Sequence, residues 1–146
     1  MARKATRTVD EQEGFSAEER AAMKERAKEV RKRSPKVDPE QELLARIAEL
    51  PEDERVIAGR VHEIVRKVAP DLKPKLWYGM PSYARDGKVV LFFQAASKFD
   101  TRYSTLGFND LAALDEGSMW PTAYALTKLT QANEKRVADL VRRAAG

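Results

Sequence analysis

The sequence predicts an α+β domain, in which an antiparallel sheet of about four to five strands packs on helices. In residues 55–68 the apolar side chains recur at spacings of three and four, which is typical of a helix with one buried face. From residue 75 onward the pattern changes to alternation, and an Asp86-Gly87 turn favours a tight hairpin. These two patterns place helices before a sheet made of consecutive strands.

The length and composition limit the classes of protein to consider. At 146 residues, 42% of them hydrophobic and 34% charged, the chain fits one soluble globular domain with a tail. No run approaches the roughly 18 apolar residues of a membrane span, so we expect a cytoplasmic protein without a membrane partner. The absence of cysteine excludes disulfides, a thiolate nucleophile and a cysteine-based metal site.

Residues 1–37 are predicted to form a flexible basic tail and a peripheral helix, and residues 38–146 a single domain. A Ser-x-x-Glu capping box starts the peripheral helix at Ser16, and Ser34-Pro35 ends it after about Arg33. Its end overlaps a basic segment (residues 24–36) that could meet the phosphates of a nucleic acid or form a solvated helix face. The segment has two acidic and seven basic residues, the latter being Lys24, Arg26, Lys28, Arg31, Lys32, Arg33 and Lys36.

Two helices are predicted between residues 38 and 68. Asp38-Pro39 is a strong helix start, because a capping carboxylate precedes a proline at the first helical position. Pro51 can open the second helix, whose apolar stripe excludes His62, so we expect that histidine at a solvated or boundary position. The apolar stripes comprise Leu43, Leu44 and Ile47 in the first helix, and Ile57, Val61, Ile64, Val65 and Val68 in the second.

The strands follow as a hairpin. One continuous strand is expected to run through Trp77 and Tyr78 to the Asp86-Gly87 turn, and a second from residue 88 to 94. A two-residue turn pairs Arg85 with Lys88, Tyr83 with Val90, and Pro81 with Phe92. The resulting core face carries Met80, Val89, Leu91 and Phe93, and the second face carries Tyr83, Val90, Phe92 and Gln94.

A third strand is predicted over residues 99–106. A loop one residue longer than a tight turn would place Phe99 and Tyr103 on the core face, and Asp100, Arg102 and Ser104 on the second face. Beyond it, Asn109 can cap a short helix, and residues 119–126 resemble an edge strand because Pro121 cannot donate to a ladder. Thr130 opens a last helix with the apolar stripe Val137, Leu140 and Val141.

The sequence lacks the motifs of common enzymes, and we expect a non-enzymatic protein. It has no Gly-rich phosphate loop and no Gly-x-Ser-x-Gly elbow, and a single histidine cannot supply most hydrolytic triads. The second face of the predicted sheet is the candidate site, because an aromatic floor of Tyr83 and Phe92 with a rim of Gln94 and Arg102 suits a small anionic or planar ligand. The alternatives are homodimerisation through this face and a purely structural role for the aromatic residues.

One stretch resembles a known family. Residues 78–83 read Tyr-Gly-Met-Pro-Ser-Tyr and are followed by a glycine turn, an apolar strand ending in aromatics, Lys98 and Tyr103. This pattern resembles the YdhG-like family of small bacterial proteins over roughly residues 39–144. The resemblance implies an α+β fold with an antiparallel sheet on helices and adds Lys98 to the ligand-binding residues. Some members are described as frataxin-like iron chaperones, so iron is the ligand or cofactor that the resemblance implies.

Overall fold

The computed structural model describes residue 21 and residues 37–146 of the chain. The chain divides into two compact units, Met1–Asp38 and Pro39–Gly146. Apart from residue 21, the predicted peripheral helix lies outside the described residues, as does the basic segment. The second unit holds all the helices and strands discussed below.

The second unit is a five-stranded antiparallel meander with helices at both ends of its sequence. Each strand pairs with the next along the chain, so the order in the sheet is the order in the sequence. The predicted α+β class is confirmed. The elements are α1 (Pro39–Ala48), α2 (Glu52–Val68), β1 (Lys73–Trp77), β2 (Met80–Arg85), β3 (Lys88–Gln94), the short helical turn α3 (Ala96–Phe99), β4 (Ser104–Phe108), β5 (Ala123–Leu126) and α4 (Gln131–Ala145).

The two helices predicted between residues 38 and 68 are confirmed as α1 and α2. The buried face of α1 is narrower than predicted, and that of α2 is wider. In α1, Leu43 and Ile47 are buried, whereas Leu44 is 36% exposed. In α2 the predicted stripe is buried except at Val68, which is half-buried. The prediction for His62 was wrong, because this residue is only 6% exposed. Ala58 lies four residues earlier and is also buried, so the buried face of α2 extends further round the helix than its larger aliphatic residues indicate.

The last helix begins and packs as predicted. Thr130 precedes α4, and its Oγ1 accepts a hydrogen bond of 3.1 Å from the amide of Asn133. This satisfies one of the amide groups left free at a helix start. The side chains of Val137, Leu140 and Val141 are buried in the core.

The prediction of one continuous strand through Tyr78 was wrong. The chain turns at Tyr78 and Gly79, whose φ angles of 52° and 76° are both in the left-handed region. Two such residues in succession are what a two-residue hairpin turn of type I′ requires. Trp77 therefore pairs with Met80 across the turn, and β1 and β2 are separate antiparallel strands. Tyr-Gly lacks the Asn or Asp that usually marks this turn, which explains why sequence alternation concealed it.

The second hairpin turn was predicted correctly. Asp86 and Gly87 have φ angles of 51° and 82°, and Arg85 pairs with Lys88 as expected. The pairing of Arg85 with Lys88 confirms that the Asp-Gly turn sets the register of the residues next to it.

Farther from the turn, the predicted register of this hairpin was wrong. The pairing shifts between Tyr83 and Ala84, so that β3 contributes one extra residue. Tyr83 consequently pairs with Leu91 rather than Val90, and Ser82 rather than Pro81 pairs with Phe92. A shift of one residue moves a side chain to the other face of a sheet. Tyr83 therefore joins the core, where it is 1% exposed.

The start of the predicted third strand was also wrong. After β3 the chain forms α3, which ends at Asp100 in the left-handed conformation, and β4 begins only at Ser104. Phe99 is 42% exposed and Tyr103 is 36% exposed, so neither belongs to the core. The alternation of aromatic and polar residues in residues 99–103 therefore led to a wrong strand prediction, because these residues do not pair with β3.

The segment between β4 and β5 is a loop. No helix forms in residues 109–122, where a short one was predicted at Asn109. Ala112 and Leu114 of this loop are nevertheless buried against the core, while Leu111 is exposed. The predicted edge strand is confirmed in a shorter form as β5, which begins two residues after Pro121.

One face of the sheet and the helices α1, α2 and α4 share a single hydrophobic core. The strands contribute seven residues to this core, namely Tyr83, Val90, Leu91, Phe93, Leu106, Phe108 and Leu126. The prediction that Val90 lies on the second face was therefore wrong, because the extra residue in β3 changes the register there. The cross-strand pairs of Ser82 with Phe92, and of Phe92 with Gly107, define the opposite face, which we call the outer face. Met80 lies two residues before Ser82 in β2 and shares this face, so its predicted place on the core face was also wrong. Among the described helices, none combines the length and the apolar character that crossing a membrane requires.

Candidate functional site

The structure separates the residues that were predicted to form one site. Phe92 and Gln94 lie on the outer face of β3 and are half-buried, as expected. Tyr83 lies on the core face instead. Arg102 lies in the loop before β4, with its guanidinium carbon 5.2 Å from the ring centre of Tyr103. Lys98 belongs to α3 and reaches the turn between β1 and β2.

Three aromatic side chains form a continuous cluster, which we call the outer aromatic patch (Trp77, Tyr78 and Phe92). The ring centres of Trp77 and Phe92 are 5.3 Å apart, and those of Trp77 and Tyr78 are 5.2 Å apart in an edge arrangement. Phe92 lies directly over Gly107 of β4, where a Cβ atom would be 2.7 Å from Cε1 of the ring. Glycine at this position therefore lets the ring of Phe92 approach the backbone of β4 closely.

Tyr78 is the most unusual member of the patch. Its side chain is 79% exposed, although aromatic residues are usually at least partly buried. It also adopts a φ angle of 52°, which is rare for a bulky residue and costs roughly 1–2 kcal/mol. Residues held in such conformations occur often at ligand sites, where the surrounding structure maintains the strain. Nζ of Lys98 donates a hydrogen bond of 3.1 Å to the backbone oxygen of Tyr78 and helps to hold the turn.

Two cationic side chains lie over this turn. A Cβ atom on Gly79 would overlap Nζ of Lys98 and would lie 3.0 Å from Nη1 of Arg46. Arg46 also contacts Glu49 at 3.5 Å, an exposed pair that leaves the guanidinium accessible. The exposed ring of Tyr78 can stack on a planar ligand, and the two cations beside the following residue, Gly79, can attract negative charge on that ligand.

The position of Lys98 depends on contacts made by its own short helix. Glu54 of α2 accepts two hydrogen bonds from Ser97, one from the amide at 3.1 Å and one from the hydroxyl at 2.6 Å. Oγ of Ser104 accepts a further bond of 3.1 Å from the amide of Ala96. These contacts hold α3 between α2 and β4. The backbone of Lys98 is therefore held in a defined position, from which its side chain extends to Tyr78.

A second polar group lies in the core and was missed by sequence reasoning. The hydroxyl of Tyr83 and Nδ1 of His62 are 2.8 Å apart, and Nε2 of His62 lies 2.8 Å from Oε2 of Glu40. Arg66 Nε lies 3.3 Å from the same carboxylate oxygen. Burial raises the pKa of Tyr83, and the negative charge of Glu40 raises it further. Tyr83 therefore remains protonated, and its hydroxyl can donate to Nδ1 in the tautomer of His62 whose Nε2 donates to Glu40.

This buried network connects three elements, namely α1, α2 and β2. Tyr83 and His62 are 1% and 6% exposed, so a substrate cannot reach the hydroxyl or the imidazole in this conformation. We interpret the network as a structural connection. The spacing of Ala58, His62 and Val65 on one side of α2 is the sequence signal that could have identified a buried histidine.

In residues 37–146, no three or more histidine, aspartate and glutamate side chains come together in a group that could hold a metal ion.

Comparison of the chain with protein-family models, with curated proteins and with solved structures finds no significant match. The class of the chain therefore rests on its own structure. It is an α+β domain in which the described helices pack on one face of an antiparallel meander, and the aromatic patch occupies the other.

Proposed function

We propose that this chain is a non-enzymatic binding or carrier protein, and that the outer aromatic patch binds a small planar anionic ligand beside Lys98 and Arg46. The observation that carries the proposal is Tyr78, a strongly exposed aromatic residue in a left-handed turn with Lys98 bonded to its carbonyl. Residues in such conformations cluster at active sites and ligand clamps, which supports a binding role for this turn.

A ligand that is both flat and negatively charged fits this site best. Stacking on an aromatic ring contributes about 0.5–1.5 kcal/mol beyond the area that it buries. An anionic ligand additionally gains from the two cations, whose terminal nitrogens lie beside Gly79, the residue after Tyr78. Because the hairpin already holds Tyr78 in place, little further ordering is needed on binding.

The proposal is tested by titrating the protein with planar aromatic anions, such as naphthalene-2-sulfonate and indole-3-acetate. Amide chemical shifts report the site of binding, and we expect saturable shifts at residues 77–79 and 98. Tyr78→Ala should weaken binding at least about tenfold, equivalent to about 1.4 kcal/mol. Tyr103→Ala is the matched control, because Tyr103 is also exposed and lies beside a cation, Arg102. Equal binding by the Tyr78→Ala variant, or no saturable shift with any anion, would exclude this site.

The resemblance to the YdhG-like family suggests a second version of the same proposal, in which the cargo is iron. Adding ferrous or ferric iron should then raise the melting temperature, because a ligand that binds only the folded state stabilises it. An unchanged melting temperature with both ions would remove the iron version. It would leave binding of planar anions intact, since that depends on Tyr78 and the neighbouring cations.

The competing use of the outer aromatic patch is homodimerisation. Sedimentation velocity over a range of protein concentrations distinguishes this from ligand binding. If the wild-type protein dimerises and Tyr78→Ala makes it monomeric, the patch is a subunit interface and the small-ligand proposal is wrong.

A nucleic-acid-associated function remains the alternative, and the observation behind it is the basic segment in the sequence. Binding through that segment should weaken steeply as salt increases, because each phosphate contact releases counterions. Deleting residues 1–36 should abolish binding to DNA and RNA if this function is correct. Retained binding by the truncated chain would contradict it.

A further inference from the structure

Within residues 37–146, the strand β5 has one side of its backbone open. It is the last strand in the sheet order, and among these described residues it pairs only with β4. The amide of Phe108 donates to the oxygen of Thr122, the residue before β5, so these two residues form a hydrogen-bonded pair. Hydrogen-bonded and non-bonded pairs alternate in an antiparallel ladder. The amides and carbonyls of Ala123 and Ala125 consequently point away from β4, toward the open edge.

A groove runs beside this edge, between β5 and α4. It contains a cavity of about 210 Å³ whose lining includes the apolar side chains of Leu106, Leu126, Val137 and Leu140. Of the residues that the structure describes, the charged ones that line this cavity are Lys128 and Arg136, and none of the lining residues is acidic. Both cations are exposed. The cavity therefore combines an apolar floor with a positively charged rim.

The groove continues past a side-chain pair that divides it. The guanidinium carbon of Arg136 lies 5.6 Å from the ring centre of Tyr124, and a second hollow of about 180 Å³ lies on the far side of this pair. The second hollow is lined by Arg136 and Arg143, and also by Glu116 and Asp139. Its two positive and two negative charges balance. We therefore expect a negatively charged group of a ligand to bind at the first cavity rather than at this hollow.

We propose that this groove binds an extended peptide that bears carboxylate groups and adds as a sixth strand to the edge of β5. The free amides and carbonyls of Ala123 and Ala125 recur every second residue, which only an extended main chain can match with both donors and acceptors. Alternate side chains of such a strand point to the same face of the sheet. An apolar side chain would enter the cavity, and a carboxylate near it would meet Arg136 and Lys128.

The groove is separate from the site of the proposed function. In the sheet order, β1 and β5 are the two opposite edges, and the outer aromatic patch involves residues from β1, the β1–β2 turn and β3. The patch lies on the outer face, whereas Tyr124 contacts Phe108 of the core in an edge arrangement with ring centres 6.0 Å apart. Binding at one site can therefore be tested with variants that leave the other unchanged.

The experiment measures fluorescence anisotropy with labelled hexapeptide pools in which apolar residues and glutamate alternate. Matched pools carry lysine in place of glutamate, or N-methyl groups on alternate amides, which remove the donors of a pairing strand. Arg136→Ala should weaken binding of the glutamate pool at least about fivefold, because it removes one of the two rim cations. Arg142→Ala is the control, since Arg142 lies on the same helix and lines neither cavity.

Ala125→Pro tests the backbone directly. Proline at Ala125 removes an amide that points to the open edge and leaves the ladder with β4 intact. Thermal melting shows whether this variant folds, and the N-methylated peptides provide the same test on unaltered protein. Specific binding of the glutamate pool that is lost on N-methylation and weakened by Arg136→Ala would support the proposal.

Three results would overturn the proposal. The first is no saturable binding of any glutamate pool up to about 1 mM. The second is equal binding of N-methylated and unmodified peptides, which would mean that no strand is added. The third is a wild-type dimer that Ala125→Pro converts to a monomer, because a second copy of this chain would then occupy the edge.

Discussion

Glu54 and Ser97 are 43 positions apart in the sequence, and they are joined by two hydrogen bonds to the same carboxylate. This contact connects the first turn of α2 to the short helix that carries Lys98. Lys98 in turn bonds to the carbonyl of Tyr78. Glu54 lies in the first turn of α2, where a negative charge interacts favourably with the helix dipole. The same carboxylate also helps to position Lys98, a cation of the candidate site.

We expect Glu54→Ala to weaken the binding of planar anions, although Glu54 itself is not expected to contact the ligand. Loss of both bonds to Ser97 should loosen α3 and lower the affinity about threefold to tenfold, equivalent to about 0.7–1.4 kcal/mol. Hydrogen exchange at the amides of residues 97 and 98 should become faster, which a change in charge alone would not cause. Glu52→Ala is the control, because Glu52 lies in the same helical turn and is exposed. Equal exchange rates in both variants would contradict this positioning role.

Two glycine substitutions should have opposite effects on the free energy of unfolding. Gly79→Ala should lower it by about 1–2 kcal/mol, because alanine is strained at a φ of 76° and its Cβ must displace Lys98. Gly59→Ala should raise it by about 0.5–1 kcal/mol, since Gly59 lies within α2 and a Cβ there meets nothing within 4 Å. Urea denaturation measures both. A neutral Gly79→Ala variant would show that the left-handed turn is not needed for stability.

Tyr83→Phe should destabilise the protein although the core volume is almost unchanged. The substitution removes the donor to Nδ1 of buried His62, and an unsatisfied buried acceptor costs about 1–3 kcal/mol. Tyr103→Phe should change the unfolding free energy by less than about 0.5 kcal/mol, because Tyr103 lies at the surface. If the two variants melt at the same temperature, the network contributes nothing to stability.

The raised pKa of Tyr83 predicts a loss of stability in alkali. In the unfolded chain this hydroxyl titrates near pH 10, whereas burial raises its pKa in the folded chain. Above about pH 10 the unfolded state therefore binds fewer protons, so the free energy of unfolding should fall by up to about 1.4 kcal/mol per pH unit. Below that pH the contribution is constant.

Urea denaturation of wild type and Tyr83→Phe between about pH 9 and pH 11.5 tests this prediction. The wild-type protein should lose stability more steeply than the variant in this range. The other groups titrate in both proteins and cancel in the difference. Parallel curves would show that Tyr83 titrates normally in the folded state.

Gly107→Ala should disrupt the outer aromatic patch from beneath. The added Cβ would overlap the ring of Phe92, which then must move away from the sheet and from Trp77. Because the ring is not part of the main core, the cost in stability should be moderate, about 1–3 kcal/mol. Near-ultraviolet circular dichroism should show the change in the aromatic environment. An unchanged spectrum would mean that Phe92 does not depend on glycine at this position.

The sequence by itself determined the α+β class, the long helices and the second hairpin turn. These features depend on local chemistry, because periodicity, helix caps and an Asp-Gly pair act within a few residues. The starts of α1 and α4 and the pair of Arg85 with Lys88 were therefore predictable. The motif formed by residues 78–83 and Lys98 could also be recognised in the sequence, but the hydrogen bond between Lys98 and Tyr78 could not.

Only the tertiary structure decided which side chains share a face. One extra residue in β3 moved Tyr83 from the predicted site into the core, and no local signal specifies such a shift. The outer aromatic patch depends on a Tyr-Gly turn and on Gly107, a residue of another strand that makes room for Phe92. His62 likewise became a core residue because Tyr83 and Glu40 provide its partners. Contacts between distant residues follow from packing, which residue spacing alone does not encode.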